Sequence, residues 1–132
     1  VSGLIFDPIK NEMFYSEKNS GSFFNNQRIR VSKKLELEDC LFATNHEGAV
    51  YSNLNLRFTG CAALDLAYVA SGRLDGYFHN NINIWDVAAG VLIIEEAGGK
   101  VNDINEFDIN SINIRASNNN IHHKMLENLK NF

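Results

Sequence analysis

The amino-acid sequence predicts a layered α/β fold, an α+β sandwich in which strands and helices alternate along one domain. Short apolar runs in the first half are separated by Asn, Gly and Pro, a pattern typical of strands joined by turns. Two apolar stretches in the second half, 62–71 and 86–97, are long enough to favour buried helices. Gly72 and Gly98 follow these stretches directly, where glycine commonly ends a helix.

The first half of the chain predicts strands and one hairpin. Asp7-Pro8 ends the first strand because proline lacks a backbone N–H. Asn25-Asn26 predicts a tight hairpin turn because both residues tolerate positive φ. We expect a charged linker over 35–39 and a polar loop over 46–55. The strands are predicted at 2–6, 12–16, 22–24, 28–31 and 40–44.

In the second half, helices and strands alternate. The two long apolar stretches have apolar residues on nearly all sides, so both helices are expected to be buried. Asn118 or Asn119 is expected to cap a last helix. That helix carries Ile121, Met125 and Leu129 on one face. Strands are predicted at 74–78, 100–104 and 112–116.

Composition narrows the class of protein. The 132 residues suffice for one domain with one core. The net charge of -4 argues against a nucleic-acid or membrane partner, which would favour a basic surface, but permits a phosphorylated substrate beside a metal ion. Cys40 and Cys61 show no CxxC or Cys/His pattern, which argues against a zinc site and favours a reduced, cytoplasmic setting. Val1 already begins a strand, so we expect further residues upstream.

Asp86 is the first candidate for chemistry because it opens the second apolar stretch. In one interpretation it only caps a helix, where a carboxylate accepts free N–H groups and meets the positive end of the dipole. In the other, its outer oxygen faces a pocket and binds a hard cation, since carboxylate oxygen is a preferred ligand of Mg²⁺. Ala88, Ala89 and Gly90 are small enough for this helix to approach a neighbour closely and hold Asp86 rigidly.

Gly60 is the second candidate because it opens the first apolar helix. Backbone N–H groups at a helix start are unpaired and can hold an anion or a hydroxyl group. The alternative is a strand-to-helix turn that merely needs a small residue. The residues alone leave both interpretations open.

These segments resemble the inositol monophosphatase family. Residues 85–90 with 96–99 are similar to the family's second signature, W-D-x-A-A-G-x-x-x-x-x-E-A-G-G. Residues 60–78 match the family segment G-S-A-A-L-D-L-A-x-V-A-x-G-R-L-D-G-Y-x almost letter for letter. Residues 7–8 and 21–32 resemble the hairpin region of the family. The resemblance covers nearly the whole chain.

The resemblance implies the carboxy-terminal part of a lithium-sensitive, Mg²⁺-dependent phosphatase with α-β-α-β-α layers. A metal-activated water would attack the phosphate ester of inositol or a similar small polyol. Asp86 would be the metal ligand, a catalytic residue and a substrate contact, while Gly60, Cys61 and Ala62 would contact the alcohol portion of the substrate. Because family members often form homodimers, the resemblance also implies a homodimer.

Two departures concern missing parts of the family pattern. The family's other signature, D-P-I-D-G-T, is absent, and Asp7-Pro8-Ile9-Lys10 reproduces only its opening letters. We therefore expect most metal ligands upstream of Val1 and negligible activity of this chain alone. The segment 44–57 is also short, so a loop is expected where the family usually has a helix.

A third departure is His79, which stands where many members carry a Glu that accepts a hydroxyl hydrogen. A histidine can accept or donate such a bond, or attract a second phosphate when charged. It could also be an exposed residue without a role. Strand alternation puts Tyr77 and His79 on one face, and we expect that face to be open because Phe78 is the better core residue.

Rival functions share the same residues. A nucleotide 3′-phosphatase or a sugar-bisphosphatase of the same superfamily carries the same second signature, so Asp86 does not separate them. A non-catalytic binding module is favoured by the missing first signature. The segment 62–78 favours the inositol type.

Overall fold

The computed structural model describes residues 1–45, 48, 53–102 and 111–130. Most of the loop expected over 46–55, and the end of the strand expected over 100–104, lie outside the described residues. The strands are β1 Ser2–Asp7, β2 Glu12–Glu17, β3 Gly21–Phe24, β4 Gln27–Ile29, β5 Phe42–Thr44, β6 Leu56–Arg57, β7 Gly76–Ile82, β8 Lys100–Val101 and β9 Ile112–Ser117. The α-helices are α1 Ala62–Ala70, α2 Ala88–Glu96 and α3 His122–Asn128, and short 3-10 turns span Leu37–Asp39 and Ile84–Asp86.

The first four strands form an antiparallel sheet in chain order, β1-β2-β3-β4. The predicted hairpin is confirmed: Asn25 and Asn26 adopt φ of 44° and 71° between β3 and β4. Two consecutive positive φ angles match the twist of the flanking strands, which is why asparagine suits this turn. We call this sheet the meander sheet.

The remaining strands form a mixed sheet in the order β6-β5-β7-β9-β8. β5 runs parallel to both β6 and β7, whereas β9 runs antiparallel to β7 and β8. Parallel neighbours need a crossover connection, and α1 supplies it before β7. β7 is therefore the central strand, with helices over both of its faces.

The helices α1 and α2 lie between the two sheets and form the main core. Leu66 of α1 and Ile93 and Ile94 of α2 are fully buried there. A Cβ atom at Gly90 would lie 2.6 Å from the Leu66 side chain, so glycine allows the two helices to meet. The expected close approach of α2 to a neighbouring element is confirmed.

The helix α3 covers the outer face of the mixed sheet. Ile121, Met125 and Leu129 pack there against Phe42 and Phe78. The predicted apolar face of this helix is thereby confirmed. The layers follow the order meander sheet, α1 with α2, mixed sheet and α3, which confirms the layered α/β fold class. No helix in the described ranges combines the length and the apolar character that crossing a bilayer requires.

The outer face of the meander sheet carries exposed apolar side chains. Leu4, Phe6 and Met13 are 59%, 45% and 39% exposed, and Phe6 pairs with Met13 across β1 and β2. Tyr15 and Phe23 stack beside them with ring centroids 5.3 Å apart. A contiguous apolar sheet surface of this kind usually contacts other protein structure.

The expectation of one helix over 86–97 needs a correction at its start. Asp86 ends a 3-10 turn, and α2 begins only at Ala88. The Asn83 side chain accepts the Trp85 N–H at 2.9 Å, which stabilises the tighter turn. Val87 then has φ of −124°, outside the helical range, so the turn and the helix are separate elements.

Candidate functional site

One open cavity of about 610 Å³ brings together the candidate residues of the sequence. It lies where the start of α1, the end of β7 and the turn before α2 converge. Gly60, Cys61, Ala62, His79 and Asp86 all line it. Asparagine side chains complete much of its polar wall, namely Asn45, Asn81 and Asn83. The fold thus brings together five residues that span positions 60 to 86 of the sequence.

The turn before α1 presents backbone groups to this cavity. Gly60 has φ of 82°, a left-handed conformation that favours glycine, although a Cβ there would meet no atom within 4 Å. Cys61 precedes the helix and makes no side-chain capping bond. The first-turn N–H groups of α1 are therefore available to an oxygen atom of a bound molecule.

Asp65 lies beneath this turn, and sequence reasoning did not single it out. Its Oδ1 accepts a 2.5 Å hydrogen bond from the Thr59 hydroxyl, and Thr59 Oγ1 accepts the Cys61 N–H at 3.5 Å. The side chain is fully buried, and Oδ2 has no protein hydrogen-bond partner among the described residues. Burial raises the pKa of Asp65 to about 6 against the opposing effect of the Thr59 bond. An aspartate inside an apolar helix was the signal available in the sequence.

His79 is half-buried at the wall of the cavity and contacts Tyr77. The Tyr77 hydroxyl lies 3.1 Å from His79 Nδ1, which confirms that the two side chains share a face of β7. Phe78 packs on the opposite face with α3, as expected. The expectation of an open face at Tyr77 is wrong, because Tyr77 is fully buried under α1 and α2. Burial is the main cause that raises the pKa of Tyr77, and the nearby Asp65 charge adds to it.

Asp86 is exposed at the cavity and does not act as a hydrogen-bonding helix cap. Asn83 caps the 3-10 turn, and Val87 precedes α2 without a side-chain capping bond. Within the described ranges, no hydrogen bond occupies the Asp86 carboxylate. Its oxygens are thus available to a ligand in the cavity, as the second interpretation requires.

Asp7 serves the turn after β1. Its side chain is buried, and Oδ1 accepts the Ile9 N–H at 3.0 Å and the Lys10 N–H at 3.3 Å. Such a turn stabilises the chain reversal at Pro8. Asp7 is therefore a structural residue, in agreement with the interpretation that its D-P pair is not the metal-binding signature.

Known proteins share both the sequence and this architecture. Residues 1–131 match the inositol monophosphatase family. The fructose-1,6-bisphosphatase/inositol-1-monophosphatase of Thermotoga maritima is 38% identical over 136 residues, covering 95% of this chain and 53% of that protein. The Nus factor SuhB of Haemophilus influenzae is 40% identical over 131 residues, covering 88% of this chain and 48% of that protein. The structure of inositol monophosphatase from Anabaena has a TM-score of 0.90 and 37% identity, covering 98% of this chain and 61% of that chain.

The chain spans about half the length of the curated relatives that it matches. Within that span the agreement is nearly continuous in sequence and in fold. The matched residues include both helices that frame the cavity and the strand that carries His79. The chain belongs to the inositol monophosphatase family, a family of phosphatases.

Proposed function

We propose that the chain forms the carboxy-terminal part of a Mg²⁺-dependent phosphomonoesterase that hydrolyses inositol phosphate or a similar small polyol phosphate. The convergence of Asp86 with the Gly60 turn in one cavity carries this proposal. A carboxylate and the N–H groups in the first turn of α1 are complementary to a cation-bound phosphate ester. A volume of about 610 Å³ is ample for one monosaccharide-sized substrate.

Each side chain of the site has a distinct part in this proposal. Bound Mg²⁺ would supply an activated water and stabilise the leaving oxygen. The Asp86 carboxylate offers one hard oxygen ligand that fits this ion. Gly60, Cys61 and Ala62, at the start of α1, would contact the alcohol portion of the substrate. His79 would orient a neighbouring substituent from the far wall.

The remaining metal ligands are proposed to lie in a further segment of the protein. In the described part of the chain, no three His, Cys, Asp or Glu side chains are close enough to hold a metal ion. The apolar outer face of the meander sheet, at Leu4, Phe6 and Met13, is a surface that such a segment could cover. We also propose a cytoplasmic setting, from the cysteine usage, and a homodimer, from the family resemblance.

The complete protein is expected to release phosphate from myo-inositol 1-phosphate with Mg²⁺ at neutral pH, at about 1 per second or faster. The 132-residue chain is expected to stay near background, because a single carboxylate does not assemble a Mg²⁺ cluster. Colorimetric phosphate release measures both proteins, and chelation of Mg²⁺ should abolish the activity of the complete protein. Rapid turnover by the chain, or none by the complete protein, would contradict the proposal.

A sugar-bisphosphatase is the second candidate function. His79 replaces a carboxylate that would repel a second phosphate, so an additional anion is better tolerated here. The name of the Thermotoga maritima relative includes both activities, which supports a sugar bisphosphate as a candidate substrate class.

His79→Glu in the complete protein is expected to shift the preference toward inositol phosphate, relative to bisphosphate esters, by roughly tenfold or more. The new carboxylate accepts a hydroxyl hydrogen and repels a second phosphate. The ratio of kcat/KM for the two substrates measures the shift. His79→Gln is the matched control, because Gln has the size of Glu without its charge. Equal ratios in all three proteins would exclude His79 as a determinant of specificity.

A further inference from the structure

The strand β7 contains a β-bulge at the rim of the cavity. Its register with β9 shifts between His79 and Ile82, where three residue steps on β7 match two on β9. Two residues of β7, Asn80 and Asn81, therefore lie opposite one residue of β9, Asn113. Bulges of this kind are common beside active sites, where they redirect a side chain.

The backbone of Asn81 has an unusual conformation within this bulge. Its φ of 58° lies in the left-handed region, which asparagine tolerates and glycine adopts without steric cost. Asn113 Oδ1 accepts the Asn81 N–H at 3.0 Å, and Asn113 O accepts a hydrogen bond from the Asn102 side chain at 2.8 Å. Hydrogen bonds within the mixed sheet thus hold the bulge in place.

The two bulge residues have different surroundings. Asn80 Oδ1 accepts a 2.7 Å hydrogen bond from Arg115, whereas Asn81 is exposed and lines the cavity with Asp86. The residues that the structure describes give the Asn81 amide group one hydrogen bond, from Ser111 Oγ at 3.3 Å. An amide group has donor hydrogens at one end and acceptor lone pairs at the other. One bond therefore leaves most of its capacity for a ligand, in either orientation of the amide.

We propose that Asn81 is a specificity-determining residue that hydrogen-bonds a hydroxyl group in the polyol portion of the substrate. A neutral amide both donates and accepts, which complements a hydroxyl group. Asn45 and Asn83 line the same cavity, so its wall is rich in such groups. This inference rests on the proposed function and adds a substrate preference to it, for esters of polyols over esters of alcohols without further hydroxyl groups.

Asn81→Gly in the complete protein removes the amide and retains the bulge, because glycine adopts φ of 58° without strain. We expect the KM for myo-inositol 1-phosphate to rise roughly two- to tenfold, as for the loss of one hydrogen bond, with little change in kcat. The ester p-nitrophenyl phosphate has no further hydroxyl group, so its KM should not change. Equal effects on both esters, or no effect on either, would overturn the proposal.

Asn19→Gly is the matched control for Asn81→Gly. Asn19 also has a positive φ, 71°, but it lies in the turn between β2 and β3 and is not among the described residues that line the cavity. Its variant should retain both wild-type KM values. If Asn19→Gly raised the KM for myo-inositol 1-phosphate as much as Asn81→Gly does, the effect would come from glycine itself and the proposal would fail.

Binding can also be followed without any turnover. Asparagine-labelled (¹⁵N) complete protein is titrated with myo-inositol in the presence of Mg²⁺ and inorganic phosphate, and the Asn81 side-chain signals are identified by their absence in Asn81→Gly. We expect these signals to shift with myo-inositol and much less with phosphate alone. No shift, or an equal shift with phosphate alone, would contradict hydroxyl recognition. If the signals shift with myo-inositol but no ester is hydrolysed, the proposed function fails while the binding role of Asn81 stands.

Discussion

Asp86→Asn in the complete protein is expected to lower Mg²⁺-dependent kcat/KM by about 100-fold or more, equivalent to about 3 kcal/mol of transition-state stabilisation. The amide retains the size of the side chain but removes the negative charge that attracts the cation. Asp86 makes no capping hydrogen bond, so the melting temperature should change little. Phosphate release measures the loss of kcat/KM, and calorimetric titration measures the weaker binding of Mg²⁺.

Asp39→Asn is the matched control for Asp86→Asn. Asp39 is also exposed, and it also ends a 3-10 turn, in which its N–H donates to Glu36 O at 3.1 Å. The corresponding bond at Asp86 joins its N–H to Asn83 O at 3.0 Å. Asp39 does not line the cavity, so its variant should keep full activity. A wild-type rate with unchanged Mg²⁺ dependence in Asp86→Asn would refute the assignment of Asp86 as a metal ligand.

Asp65 is expected to make the protein less stable as the pH rises from about 4 to about 6. Its pKa is about 6 in the folded state and 3.8 without burial, so the folded state binds the proton more tightly. Stability is therefore lost as the buried carboxyl ionises, and the loss is complete above the folded pKa. The shift corresponds to at most about 3 kcal/mol.

Asp65→Asn removes this ionisation, so the variant should not show this loss of stability between about pH 4 and about pH 6. The measurement is the free energy of unfolding in urea at several pH values, taken as wild type minus variant so that other groups cancel. Thr59→Val provides a second check, because the Thr59 bond lowers the pKa of Asp65. Loss of this hydrogen bond should raise the pKa of Asp65 further, so the fall in stability should occur at higher pH. A pH-independent difference between wild type and Asp65→Asn would contradict a perturbed Asp65.

Local sequence patterns were sufficient to predict many of the secondary-structure elements. The Asn25-Asn26 turn was predictable because positive φ is a property of the residues themselves. The face of α3 formed by Ile121, Met125 and Leu129 was predictable because helical spacing decides which side chains are neighbours. Asp86 and Gly60 were candidates from the residue pattern, and the other candidate site residues followed from the family resemblance. The cavity that joins them required the fold. Their catalytic and binding roles stay predictions.

Other features depended on contacts between distant segments. Strand alternation places Tyr77 and Phe78 on opposite faces, but both are buried because β7 is central and has helices on either side. The start of α2 at Ala88 follows a separate 3-10 turn, in which the Asn83 side chain accepts the Trp85 N–H. The sequence therefore specifies periodicity and turn chemistry, which are local. Burial and pKa at the cavity depend on which surfaces meet, because desolvation is a property of the assembled layers.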